Sequence, residues 1–448
     1  MLKRELQDNI HEWLNEGVDA LLITGAHQIG KTYGIRQSLK EADMDFVEFN
    51  FIDQPELITL FENAKNAKDF IMRISVAAKS PLTPHKTILF FDEIQEFKDI
   101  MTRIKFLVED GTFRYILSGS LLGVELHNLR SAPVGYVKII DMYPMSFYEF
   151  IVNLGVQDTT IAILKECFQK RIPVYDYIHE KMMDLFYLYQ MIGGMPEAVE
   201  TYIRTNNIQK VTEVHEKIIS LYKQDFTKYE HRCSLKIKEI YEAMASELDN
   251  KNKRFKMNTI KKGLSYDRLE NDFLWLKDAG VALPVYNIQE PKLPLRLSEN
   301  RNLFKLFFSD VGLLTYHYSN VTKMKILNKE RDINNGALFE NAIAQELYKQ
   351  KFKVYYYNSK KYGELDFVIE YQGYVCPIEV KSGKSYKKHS ALCNVLKDKS
   401  YDIKEAFVLS NYNVEKDHQK TYLPIYMIMF FEQEPLINPI YKLDLSGL

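Results

Sequence analysis

The chain has 448 residues, 46% hydrophobic and 27% charged, with a formal net charge of −1. This composition excludes a disordered chain and a globally basic nucleic-acid binder, so any surface for a polyanion has to be local. Four scattered cysteines with no Cys-x-x-Cys pair argue against a zinc or disulfide framework and predict a cytoplasmic protein.

At roughly 100–200 residues per domain, the length predicts two to four domains. The start, "MLKRELQDNIHEWLNEG", reads as an amphipathic helix with acids throughout, not as a signal peptide. No apolar run approaches the ~18 residues that span a bilayer, and "IYMIMFF" near the C-terminus reads as a short buried strand.

"DALLITGAHQIGKTYGIRQSL" is the strongest local signal. Ala20 to Thr24 is a strand-like run, Gly25 to Thr32 spells G-x-x-x-x-G-K-T, and a helical pattern follows. That is the context a P-loop requires. Gly25 and Gly30 let the loop, with His27, Gln28 and Ile29, close its N–H groups around phosphate oxygens. Lys31 would reach the β- and γ-phosphates of ATP, and Thr32 would bind Mg2+. A second apolar run, Thr87 to Phe91, ends in Asp92 and Glu93. Asp92 would hold magnesium through water and Glu93 would orient the attacking water. A third run, "FRYILSGS", ends in Ser118, Gly119 and Ser120, where a polar side chain, Ser118 first, is a candidate sensor of the γ-phosphate, although Ser and Gly after a strand are also ordinary turn chemistry. Arg114 and Arg130 are arginine-finger candidates by sequence proximity alone.

"GAHQIGKT", "LFFDEIQ", "LSGS", "YPMSFYEF" and "GGMPEAV" resemble the bacterial and archaeal AAA-type ATPases that carry a C-terminal domain of unknown function. Gly135-Tyr136 stands where that family often reads Gly-Arg. The resemblance implies a P-loop NTPase parallel sheet over 1–150 and a helical lid or adaptor over 151–232. A winged-helix-like unit is expected over 233–300, with Val281–Tyr286 and Leu295–Leu297 as its wing. Within it "KNKRFKMNTIKKG" is a dense basic tract, and residues 251–262 are the candidate contact with DNA or RNA, unless they form a solvated loop or belong to a winged helix that contacts protein. Residues 301–330 read as a linker to a last region, 331–448.

In "NNGALFENAIAQELYKQKF", Glu340 shares a helix face with Ile343, Ala344 and Leu347. The hairpin "GELDFVIEYQGYVCPIEVKSG" follows. If Gln372-Gly373 is a two-residue loop, Tyr371 faces Tyr374, Asp366 falls opposite Glu379, and Glu364 opposite Lys381. Asp366 and Glu379 then form a like-charge pair that a bound cation, Mg2+ or Mn2+, would relieve. The pattern resembles the PD-(D/E)XK nuclease superfamily, archaeal Holliday-junction resolvases included. That resemblance implies a restriction-endonuclease-like α/β domain with Asp366 and Glu379 as metal ligands. Glu340 would complete or orient the site, Lys381 would activate water or stabilise the developing phosphorane charge, and Glu364 would orient Lys381.

The whole reads as a multidomain α/β ATPase. Three functions stay open: an ATP-gated nuclease, a switch that binds DNA or a protein without cutting, and a small-molecule kinase. Assembly into a homo-oligomer is left open.

Overall fold

The computed structural model describes residues 2–120, 135–228, 231–250, 252–260, 266–330 and 335–434. The first region contains α1 (Glu5–Glu16), β1 (Ala20–Thr24), α2 (Lys31–Glu41), β2 (Phe46–Asn50), α3 (Glu56–Glu62) and α4 (Ala67–Ala77). It continues with β3 (Ile88–Asp92), α5 (Ile100–Asp110), β4 (Arg114–Ser118) and β5 (Val137–Asp141). The strands form one parallel sheet in the order β2-β3-β4-β1-β5. β1 and β3 are buried at every position, which is why they read as unbroken apolar runs. Because all five strands run the same way, Gly25, Asn50, Asp92 and Ser118 gather at one edge, where open α/β sheets bind ligands.

A helical region follows: α6 (Phe147–Asn153), α7 (Asp158–Lys170), α8 (Asp176–Ile192), α9 (Pro196–Thr205), α10 (Ile208–Lys228), α11 (His231–Asp249) and α12 (Glu270–Asp278). Ser146 and Glu149 start α6 with a reciprocal capping box. Gly193 ends α8 at φ 71°, and Gly194 N–H donates to buried Asp310 at 2.5 Å.

The last region begins earlier than the sequence implied. β6 (Ala282–Ile288) and β7 (Glu299–Phe308) form the expected antiparallel pair, but it is not a free wing. β6 also pairs in parallel with β8 (Tyr355–Ser359). The sheet runs on through β9 (Gly363–Tyr371), β10 (Tyr374–Lys381), β11 (Ala406–Ser410), β12 (Glu415–Asp417) and β13 (Lys420–Pro424), in the order β12-β13-β11-β10-β9-β8-β6-β7. The sequence did not show this merger because β6 satisfies its edge with a strand that comes much later in the chain.

Three further expectations are corrected. Leu295–Leu297 lies in a 3-10 turn, not a strand. The expected linker 301–330 holds most of β7 with α13 (Val311–Thr315) and α14 (Asn320–Leu327). "IYMIMFF" is a buried 3-10 helix, Ile425–Phe430, since a short apolar run does not tell strand from helix.

α15 (Gly336–Lys349) is also not the one-sided helix expected, because Ala337 through Leu347 are all buried. α16 (Ser390–Lys397) covers β9. One apolar core joins Leu6 and Ile23 of the first region, Phe186 and Tyr189 of α8, and Phe407 of the last sheet. No helix among the described residues is long and apolar enough to cross a membrane.

Gly193→Ala tests the α8 junction. A Cβ there would fall 2.0 Å from Asp310 Oδ1 on a backbone that side chains rarely adopt. Urea unfolding is expected to show a loss of about 3 kcal/mol.

Candidate functional site

The loop after β1 needs Gly25, because a Cβ there would lie 2.3 Å from Met142 O at φ 135°. Gly30 then caps α2 in a left-handed conformation. Lys31 folds back over the loop, its Nζ donating to Gly25 O at 3.0 Å, Ala26 O at 2.8 Å and Ser120 Oγ at 3.2 Å. Burial lowers its pKa to about 8, against the pull of Glu93 and Asp92.

Asp92 is the acceptor at the centre of the edge. Thr32 Oγ1 donates to it at 2.9 Å and Asn50 Nδ2 at 3.0 Å, and Ser118 Oγ donates as well. Burial raises its pKa above the usual carboxylate range, and the Ser118 bond works the other way. All three donors are neutral, so a hard cation would keep a charged oxygen ligand here. Thr32 and Asp92 therefore fit nucleotide-bound magnesium. Glu93 sits beside them at φ 56°, a left-handed backbone uncommon for a side chain of this size, with Gln95 donating to its carboxylate at 2.6 Å.

Asn50, Tyr222 and Asp225 went unread in the sequence. Asn50 ends β2 as Asp92 ends β3, so the polar-strand-end criterion would have found it. Ser120 Oγ is 3.0 Å from His27 Nδ1, and His27 Nε2 is 3.5 Å from Asp225 of α10. Tyr222 OH donates to His27 O at 3.2 Å. A cavity of about 340 Å³ opens beside Gly30, lined by Leu2, Arg4, Tyr33, Pro196 and Ile203 among others. Arg114 is no finger. It starts β4, at the end opposite the site, and donates to Leu14 O at 2.9 Å and to Trp13 O while stacking on Trp13. Arg130 lies outside the described residues.

The loop is also tied to the last region. Arg4 donates to Ile29 O at 3.0 Å, to Tyr143 O at 2.7 Å and to Glu149 at 3.0 Å. Lys349 of α15 pairs with the other oxygen of Glu149. Burial opposes the Glu149 charge, but Arg4 and Lys349 outweigh it and hold the carboxyl down at about 2.

In the last region the hairpin register is as counted, with Tyr371 opposite Tyr374 and Phe367 opposite Ile378. Asp366 and Glu379 come next on that count. Asp366 accepts from Val380 N–H at 2.8 Å, and Lys381 Nζ donates to Glu379 at 2.8 Å. Burial and Asp366 push Glu379 up to about 8.

Glu364 does not orient Lys381, whose ammonium donates to Glu379 instead. Glu364 faces Asn358 of β8, and its Oε1 lies 2.7 Å from the ammonium of Lys305. That contact is an ion pair without directed hydrogen-bond geometry. Lys305 is fully buried and also lies 3.6 Å from Glu340 Oε2, while Lys253 takes Glu340 Oε1. Burial works against the Lys305 charge, but Glu340, Glu364 and Asp366 outweigh it and raise its pKa. The basic tract is only partly solvated where it is described: Lys253 pairs with Glu340 and Phe255 is buried against Phe304, while Lys256 is exposed. Lys251, Lys261 and Lys262 lie outside the described residues. No group of three or more His, Cys, Asp or Glu among the described residues is placed to hold a metal ion.

Residues 18–151 match the family model described as an AAA domain. The first region has an AAA-type P-loop ATPase fold. Residues 183–325 and 335–428 match two models each described as a domain of unknown function, DUF8612 and DUF4143. No curated protein matches the chain. Among solved structures it is similar to the Walker-type ATPase paby2304 of Pyrococcus abyssi, at 16% identity and TM-score 0.42, over 70% of this chain and 95% of that one. It is also similar to the Aeropyrum pernix ORC1 protein in complex with DNA, at 11% identity and TM-score 0.29, over 74% and 93%. The RuvB Holliday junction branch migration motor of Thermotoga maritima aligns at 13% and 0.29, over 63% and 89%.

Lys349→Met would leave buried Glu149 with Arg4 as its remaining cation. Stability in urea is expected to fall by about 3 kcal/mol.

Proposed function

We propose that this chain is a magnesium-dependent ATPase whose nucleotide state is relayed to a C-terminal region that engages a partner without cutting it. The observation that carries the reading is the convergence of Lys31, Thr32, Asp92 and Glu93 at one sheet edge. Lys31 leaves its loop carbonyls to meet the β- and γ-phosphates. Thr32 and Asp92 would hold magnesium, which would supply positive charge to offset the negative charge on the nucleotide phosphates. Glu93 orients the attacking water, and Ser118 holds Asp92 in place. The cavity beside Gly30 takes the base, with Tyr33, Pro196 and Ile203 as its walls. The relay leaves the loop by two routes, Ile29 to Arg4, Glu149 and Lys349, and His27 to Asp225. Against a nuclease stands the pairing of the C-terminal carboxylates with lysines.

A second reading concerns the partner. Lys384, Lys387 and Lys388 are exposed on the loop after β10, a surface suited to a phosphate backbone of DNA or RNA. Binding should then weaken steeply with salt, and Lys384→Glu with Lys388→Glu should weaken it for all sequences alike. Salt-independent binding would point to a protein partner instead.

Lys31→Ala is expected to lose at least about 100-fold in ATP affinity, and unchanged affinity would sink the assignment. Glu93→Gln should still bind ATP while turnover falls about 100-fold or more. Ile203→Glu should weaken ATP about tenfold and leave inorganic triphosphate unaffected. Hydrogen exchange with and without ATP should change in 208–228 and 336–349, and no change there would rule out the relay.

A further inference from the structure

The C-terminal carboxylates sit where a nuclease-like domain would bind metal, yet their surroundings do not suit one. A magnesium site needs several oxygens converging at about 2.1 Å on one point, with most of their charge unspent. Here each carboxylate already has at least one oxygen engaged inside the protein, while Glu379 Oε1 is buried without a hydrogen bond. Glu364 has Lys305 at 2.7 Å, Glu340 has Lys253 and Lys305, Glu379 has Lys381 at 2.8 Å, and Asp366 accepts the Val380 N–H. Lys305 cannot be a passing surface charge. It is fully buried on β7 and lies 5.2 Å from the Tyr356 ring, and a buried ammonium without counter-charge is too costly to keep. A divalent ion beside it would meet a fixed like charge.

We infer that this carboxylate cluster is a salt lock closed by Lys305 and Lys253, and not a metal site. The lock joins four separate stretches of chain. Lys305 comes from β7, Lys253 from the segment that bridges to β7 at Arg254, Glu340 from α15 and Glu364 from β9. It fastens the β6–β7 pair and the basic tract to the helix that also carries Lys349. This holds whether or not the first region hydrolyses ATP.

The test is Mn2+ uptake by the full chain without nucleotide, read from the free-ion paramagnetic signal. Wild type and Asp366→Asn are expected to take up the same amount through millimolar Mn2+. Uptake in wild type that Asp366→Asn or Glu379→Gln removes would overturn the lock. In parallel, Lys305→Met should lower the thermal midpoint by more than about 5 °C, or prevent folding, and Lys305→Arg should recover at least half of that loss. A Lys305→Met protein as stable as wild type would overturn it as well.

Discussion

The structure depends on a helix that is buried on every side yet carries polar residues along its length. α15 gives each of them a partner elsewhere in the chain, although Glu346 keeps one oxygen without a hydrogen bond. Asn341 exchanges two hydrogen bonds with the Phe308 backbone, at 2.8 and 3.0 Å. Gln345 accepts from Val311 N–H and donates to Tyr189. Glu346 accepts from Phe147 N–H at 2.7 Å. Glu340 and Lys349 form ion pairs near the two ends. An unmatched polar group at any of these positions would cost roughly 1–3 kcal/mol, so the helix fixes where its neighbours sit. The continuous apolar core around it makes the first and last regions neighbours in packing and not only in sequence.

The two acidic sites differ in who neutralises them. Asp92 is held by hydroxyls and an amide, so its charge stays available to an incoming cation. Glu340, Glu364 and Glu379 are held by ammonium groups, so much of their charge is already spent, while Asp366 accepts a backbone N–H. Residue types alone would rank the second site as the richer metal site. The charge of the hydrogen-bond partners reverses that ranking.

Features set by local chemistry were readable in the sequence. The P-loop is a strand, a glycine-bearing turn and a helix start in one stretch, and the structure has that order. The hairpin register follows from a two-residue turn, and Tyr371 does face Tyr374. What escaped was decided between distant segments. Lys305 fell in the stretch read as a linker, and nothing near it in sequence marks Glu364 as its partner. Arg4, Tyr222 and Asp225 reach the loop from elements read only as helices. Arg114 looked close to the site by number, but strand direction puts it at the far end.

The sheet that spans β6 to β13 is built from strands that leave the ribosome at widely separated times. β6 and β7 are made first, and the strand that covers β6 arrives only after α13, α14 and α15. During that interval an apolar strand edge stands open to pairing with other chains. Closing it is a long-range step of the kind that slows folding and exposes intermediates to aggregation. The same feature ties this region's fate in the cell to protection of nascent chains, a demand that the finished molecule, with β6 covered, no longer displays.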